Sequence, residues 1–271
     1  MNSQFKAFRS FKTLSVARVS SAFSPASLFK AGEQGAWYDP SDLSTLFQDA
    51  AGTIPVTAGN QQVGLMRDKS GRGNHASQTV SSSRPIIRSS GGLWYLEFDG
   101  VDDFFVTSAI NFAASDKMGV FAGVMKLTDS TLGVVAELSA NIGSSDGSLI
   151  VTAPSGSASA SFSAGFRGTV RKDRTSPLSY AAPFTGILSA DGDIAAGSTR
   201  LRINGATVAS DASGLGTGSF GNWPLYIGRR GGTTLPFRGY LSGLIVRGAT
   251  TDAATITSIE KLLAAKSGMT M

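Results

Sequence analysis

Apolar positions along this chain come in short runs separated by Gly, Ser, Asn or Asp, a pattern of strands joined by turns. The clearest runs are LWYLEF (93–98), DFFVTS (103–108), GVFAGVMKL (119–127), LGVVAEL (132–138), SLIVTA (148–153) and ASASFSAGF (158–166). FTGILSA (184–190), TRLRING (199–205), PLYIGRR (224–230) and YLSGLIVRG (240–248) follow. In TRLRINGATVAS, Leu201 and Ile203 alternate with Arg200, Arg202 and Asn204. Asn204-Gly205 supplies the positive φ angles of a type I′ hairpin turn, and Val208 returns on the apolar face of the partner strand. Strands this dense, with almost no helix between them, predict an all-β fold, either a two-sheet sandwich or a barrel.

One helix is predicted, in TDAATITSIEKLLAAKSG. Asp252 or Thr251 caps its first amides, and Ile256, Ile259, Leu262 and Leu263 form one apolar stripe. Lys261 and Lys266 sit toward the negative end of the dipole, and Gly268 terminates the helix. The stripe requires the helix to pack on the sandwich. Nearer the start, SPASLFKAGEQGAWYDPSDLSTLFQDAAG reads as a compact lead-in, with a turn at Asp39-Pro40 and a short helical piece around Ser41 to Phe47. With no internal repeat or long linker, the division is an arm over residues 1–30 and one domain over 31–271.

Composition narrows the chemistry. The 271 residues are 41% hydrophobic and 16% charged, enough for a real core, and they include no cysteine. That excludes a disulfide framework, a thiol nucleophile and cysteine-ligated zinc. A net charge of +5 is a mild excess, and nucleic-acid binding would need it gathered on one face, so no nucleic-acid partner is expected. No run approaches a membrane span, so no membrane insertion is expected.

The basic residues do gather in MNSQFKAFRSFKTLSVARVSSAF, where Lys6, Arg9, Lys12 and Arg18 precede any acid. Phe5, Phe8 and Phe11 recur every third residue, close to one helical face. Arginine and serine interrupt every candidate apolar run, which rejects a secretory signal, while the composition still allows a mitochondrial transit peptide. A frayed tail without a role is the bland alternative. The reading preferred is a docking arm: Phe5, Phe8 and Phe11 bury on a partner while Lys6, Arg9 and Lys12 meet an acidic surface.

The loop DKSGRGNHASQ holds the chain's only histidine, His75. One histidine does not build a zinc site without carboxylates, and a Ser-His-Asp reading would rest only on abundant serines. Gly71, Gly73, Asp68, Ser70 and Asn74 are turn formers, so the loop reads as a turn. Together with RPIIR and LWYLEFDGVDDFF, it resembles the concanavalin A-like lectin/glucanase group, specifically the laminin-G-like jelly rolls. The matching residues are Asp68, Ser70-Gly71, Gly73 to Ala76, Phe98 to Gly100 and Asp102-Asp103. LRINGATVAS, PLYIG, FRGYLSGLIVRG and the closing helix fit the end of such a domain, so the resemblance spans roughly residues 63 to 266. It implies a two-sheet antiparallel jelly-roll sandwich with an N-terminal arm and a C-terminal helix.

The lead-in through Gln78 is similar to a segment of tailed-bacteriophage structural proteins that precedes such a jelly roll. That resemblance implies a virion component, a capsid decoration or a head or tail fibre part. Its expected partners are other virion proteins (major capsid or tail proteins), as a homo-oligomer, and host-surface polysaccharide is a further candidate. The alternatives are a carbohydrate-binding receptor module and a glycan hydrolase.

Retaining glucanases of this fold carry ExDxxE on a strand. Here the run is Glu97-Phe98-Asp99-Gly100-Val101-Asp102, whose last acid is one methylene short, and Gly100 is expected to break the strand. With only four glutamates in the chain, no enzyme and no cofactor are expected. Asp99, Asp102 and Asp103 offer oxygen ligands suited to calcium, against a reading as a solvated hairpin turn. Trp37, Tyr38, Trp94, Tyr95 and Trp223 are candidates for stacking on sugar rings, though aromatics of this kind commonly fill cores.

Overall fold

The apolar runs pair into two antiparallel sheets that face each other across one core. The computed structural model describes residues 23–271. Its strands are β1 (Gly35–Tyr38), β2 (Leu46–Phe47), β3 (Leu65–Met66), β4 (Ala76–Ser77), β5 (Ile86–Ser90) and β6 (Leu93–Asp99). Next come β7 (Phe105–Asn111), β8 (Lys117–Lys126), β9 (Val134–Leu138), β10 (Ser148–Thr152), β11 (Ser163–Arg167) and β12 (Arg171–Thr175). The last are β13 (Phe184–Asp193), β14 (Ser198–Ile203), β15 (Ala206–Asp211), β16 (Asn222–Ile227) and β17 (Arg238–Arg247), followed by helix α1 (Ala253–Lys266). The first sheet runs β15-β14-β13-β8-β17-β6-β5, and β1 also pairs with β17. The second runs β12-β11-β10-β9-β16-β7-β4-β3-β2. β6 and β1 lie end to end along one side of β17, against residues 238–241 and 244–247 respectively.

The core between the sheets is aliphatic with a phenylalanine seam. Phe98 meets Phe105 edge-on at 6.4 Å and Phe237 at 5.9 Å, all three fully buried. Each such ring contributes about 1.5–3 kcal/mol of burial. A second apolar layer lies outside the first sheet, where Ile256, Ile259 and Leu263 of α1 cover Phe121, Ile187 and Ile245. Leu262, placed in that stripe from the sequence, is only half-buried. The Asp252 carboxylate caps the helix by accepting from the Thr255 amide at 2.9 Å, and Gly268 ends it at φ 72°. Leu28 and Phe29, inside the segment 1–30 read as an arm, are buried in this same layer. Phe5, Lys6, Phe8, Arg9, Phe11 and Lys12 lie outside the described residues.

All ten runs read as strands contain one, with shifted ends. DFFVTS is extended only from Phe105, and ASASFSAGF only from Ser163. The helical piece expected over Ser41 to Phe47 is one 3-10 turn at Leu43–Thr45, because Leu46 and Phe47 pair with Met66 and Leu65 instead. β12, sequence RKDRT, escapes the apolar pattern altogether because it is a charged edge strand. Among the described residues no helix is long and apolar enough to cross a membrane.

The hairpin turn is as expected, with Asn204 at φ 50° and Gly205 at φ 82°. Gly205→Val should therefore lower stability by roughly 1–3 kcal/mol, read as a fall in thermal midpoint, because a β-branched residue strains at that φ.

Candidate functional site

The DKSGRGNHASQ loop folds around one carboxylate. Asp68 Oδ1 accepts from the Trp37 amide at 2.9 Å and the Ser70 amide at 2.8 Å. Its Oδ2 accepts from the Ser70 hydroxyl at 2.7 Å and the Asn74 amide at 3.0 Å. Gly71 and Gly73, at φ 83° and 76°, let the chain curl tightly enough to aim these donors inward. Asn74 donates to the Gly35 carbonyl at 2.7 Å, and the Tyr38 hydroxyl donates to the Asn74 carbonyl. The exposed His75 accepts the Asp68 amide on Nδ1 at 3.0 Å and has no carboxylate cluster beside it among the described residues. These bonds make the loop a structural staple that ties β1 to the segment Asp68 to Asn74.

The five aromatics proposed for sugar stacking do not converge. Tyr38 is fully buried, so it has no face to offer a ligand; burial, then the Asp68 charge, pushes its phenol well above the ordinary range. Trp94 packs half-buried on the inter-sheet core. Trp223 does so on the other sheet and donates to the Asp146 carbonyl at 2.9 Å. Trp37 lies under the Lys69 ammonium, 4.5 Å from its ring centre.

Tyr95 instead meets a tyrosine that the sequence reading passed over. Register sets Thr185, Met125, Tyr240 and Glu97 in one row across β13, β8, β17 and β6. Tyr95, two residues before Glu97, brings its ring centroid 4.5 Å from that of Tyr240, tilted by 32°. The two half-buried rings floor a cleft of about 190 Å³ on the outer face of the first sheet. Ser242, Lys266 and Ser267 form its polar wall, at the C-terminal end of α1. The Ser242 and Ser267 hydroxyls bond each other at 2.6 Å. Lys266 Nζ donates to Asp39 Oδ1 at 2.8 Å and to the Ser41 hydroxyl at 2.6 Å. Burial raises the Asp39 pKa, but bonds from Lys266, Ser41 and Lys69 outweigh it and hold the carboxyl below its usual range. Beside the two rings, Arg88, opposite Tyr95 in the register, pairs with Glu97, opposite Tyr240. Burial, then the Glu97 charge and Tyr95, raise the Tyr240 phenol.

The acidic triad does come together. One carboxylate oxygen each from Asp99, Asp102 and Asp103 lies within 4.8 Å of the others. Asp99 accepts from the Val101 amide at 2.7 Å, Asp102 from the Ser83 hydroxyl at 2.7 Å, and Asp103 from the Asp99 amide at 2.9 Å. Gly100, at φ 78°, ends the strand between them, as expected. Asp103 is 94% buried (6% exposed), and burial followed by repulsion from Asp99, Asp102 and Glu97 pushes it up to about 7.

No protein-family model matches the chain, and no curated protein matches it in sequence. Solved structures do share its fold. An arabinofuranosidase complexed with arabinofuranosyl-alpha-1,2-xylobiose superposes at TM-score 0.64 and 13% identity, over 90% of this chain and 65% of that one. Domain 4 of AbnA, a GH43 extracellular arabinanase from Geobacillus stearothermophilus, in complex with arabinotriose, gives 0.56 and 11%, over 84% and 98%. A botulinum neurotoxin type C structure gives 0.54 and 10%, over 73% and 48%. At these identities the likeness is one of fold: the chain is a two-sheet antiparallel jelly-roll sandwich with a C-terminal helix.

Two outcomes follow from this geometry. Asp68→Ala strands buried donors and should cost about 3 kcal/mol or more by denaturant unfolding, whereas His75→Ala should cost under about 1 kcal/mol because water replaces an exposed acceptor. Asp103 titrates near 3.8 unfolded and about 7 folded, so the folded state holds the proton more tightly. Its contribution is therefore present at acid pH and lost as the pH rises from about 4 to 7. Asp103→Asn should raise stability at pH 8, but not at pH 4, by on the order of 2–4 kcal/mol in parallel melts.

Proposed function

We propose that this protein is a non-catalytic glycan-binding module whose site is the Tyr95–Tyr240 cleft. The observation that supports it is the pair of tyrosine rings, half-exposed in a recess whose wall supplies hydroxyls and an ammonium. Aromatic faces stack on the C–H faces of sugar rings, and the surrounding hydroxyls satisfy the sugar's own. The arabinanase domain of the same fold is described in complex with arabinotriose, which gives this reading a precedent of architecture. Turnover is not part of the proposal. Glu97 is engaged by Arg88 and Asp99 by the amides of its own turn, so neither is free as nucleophile or acid.

Two further parts belong to this proposal. The likeness of the lead-in to tailed-phage structural proteins supports display on a virion, anchored through the arm to capsid or tail proteins. Asp99, Asp102 and Asp103 suit a calcium ion, since one carboxylate oxygen from each lies within 4.8 Å of the others.

Glycan-array screening followed by calorimetry tests the main reading. Tyr95→Ala and Tyr240→Ala should each weaken binding about tenfold with an unchanged circular dichroism spectrum. Absence of any glycan ligand, or release of reducing sugar, would overturn it. Calcium titration should give a binding heat that Asp103→Asn abolishes; no heat with the unsubstituted chain removes the ion from the proposal.

A further inference from the structure

A second recess, of about 520 Å³, lies at the other end of α1. Its walls come from the ends of β13 and β15, the starts of β8 and β14, and Thr250 and Thr251 just before the Asp252 cap. Thr185, which borders the tyrosine cleft, and Asp191, which borders this recess, share one face of β13 six residues apart. At about 3.4 Å per residue that is about 20 Å along the strand. Ile187 and Ser189, between them on the same face, are buried, and Ile187 lies under α1. The helix therefore separates two recesses on one sheet.

Register builds the second recess from paired charges. Ser210, Arg200 and Asp191 stand in one row across β15, β14 and β13. Two residues further along, Ser198, Asp193 and Lys117 form the next row across β14, β13 and β8. Each carboxylate of the lining faces a cation: Asp191 faces Arg200 at 2.6 Å, Asp193 faces Lys117 at 3.5 Å, and Asp211 faces Arg174 at 2.9 Å. Lys117 also holds Asp116 at 2.9 Å, so neither cation of the lining is left to select an anion.

Pairing still leaves hydrogen-bonding capacity. Arg200 sends both Nε and Nη2 to the same oxygen, Asp191 Oδ1, at 2.9 and 2.6 Å. Asp191 Oδ2 and Arg200 Nη1 have no protein partner among the described residues. One ion pair thus offers an ionised acceptor and an ionised donor, the stronger class of hydrogen-bonding group. Two neighbouring hydroxyls on one carbon ring match it, one donating to Oδ2 while the other accepts from Nη1. The Ser198, Ser210 and Thr250 hydroxyls border the same space, and no aromatic ring does, so stacking plays no part.

We infer that this recess is a second binding site, which takes a neutral polyhydroxylated ring, a sugar or a cyclitol, by hydrogen bonds to the Asp191–Arg200 pair. It goes beyond the glycan reading of the tyrosine cleft and shares no residue with it.

Amide chemical-shift titration of the full chain tests it, with myo-inositol, methyl β-xyloside and methyl α-mannoside as probes. Cyclohexanol, a ring with one hydroxyl, and sodium acetate are the controls. At least one polyhydroxylated probe should shift the Ser198, Arg200 and Ser210 amides saturably, and neither control should. Asp191→Ala and Arg200→Ala, at partly exposed positions, should each weaken that response at least about tenfold with an unchanged circular dichroism spectrum. Tyr240→Ala should leave it intact. No saturable shift at those amides, an equal response to a control, or a response that survives both substitutions would overturn the inference. Saturable shifts around Tyr95 and Tyr240 alone would overturn it and leave the glycan reading standing; shifts at this recess alone would do the reverse.

Discussion

A single buried carboxylate organises the side of the molecule that carries the cleft. Asp68 gathers four donors from three residues: the amide of Trp37, the amide and hydroxyl of Ser70, and the amide of Asn74. Removing a charged acceptor from water is costly, and the arrangement persists because both oxygens are filled by well-placed donors. Its effect reaches past the loop. By holding the Trp37 amide it fixes β1, and just beyond β1 stands Asp39, which receives both Lys69 and Lys266. Lys266 is the last residue of α1, so the helix end that walls the cleft is tied down through two steps that begin at Asp68.

Much of the architecture was legible because alternation reports one-sided burial. The strands with apolar inner faces and the Asn204-Gly205 turn stand where the pattern put them, as does the Asp252 cap. What escaped had no such signal. β12 has no apolar face to alternate, and Gly35–Tyr38 looked like part of a turn-rich lead-in. Leu46 and Phe47 fitted a helical reading until the pairing with β3 decided otherwise, a tertiary contact that local propensity does not encode.

The cleft was harder to foresee than the fold. Tyr95 and Tyr240 are far apart in sequence and meet only through register, and β17 carries an irregularity between Leu241 and Gly243 that resets which side chains face outward. A two-residue count along the sequence therefore misplaces residues beyond that point. Tryptophan drew attention by its size, yet all three tryptophans lie elsewhere, half-buried against apolar layers or a lysine. The acidic triad was the opposite case. Its members are near neighbours in sequence, so a turn at Gly100 was enough to bring them together.

The end-to-end arrangement of β6 and β1 along β17 also orders events in time. Gly35 pairs with Arg247 and Tyr38 with Leu244, partners about two hundred residues apart. A ribosome making this chain releases β1 long before β17 exists, so the early strand must wait with its backbone unpaired. Contacts this remote carry a heavy loop-closure entropy, and they form late and slowly. Until the last strand emerges, Ala36 and Tyr38 remain without the cover that later hides them, the condition under which a nascent chain is most exposed to wrong partners. Assembly of this sandwich is completed where β17 closes on β1, with β17 acting as the clasp.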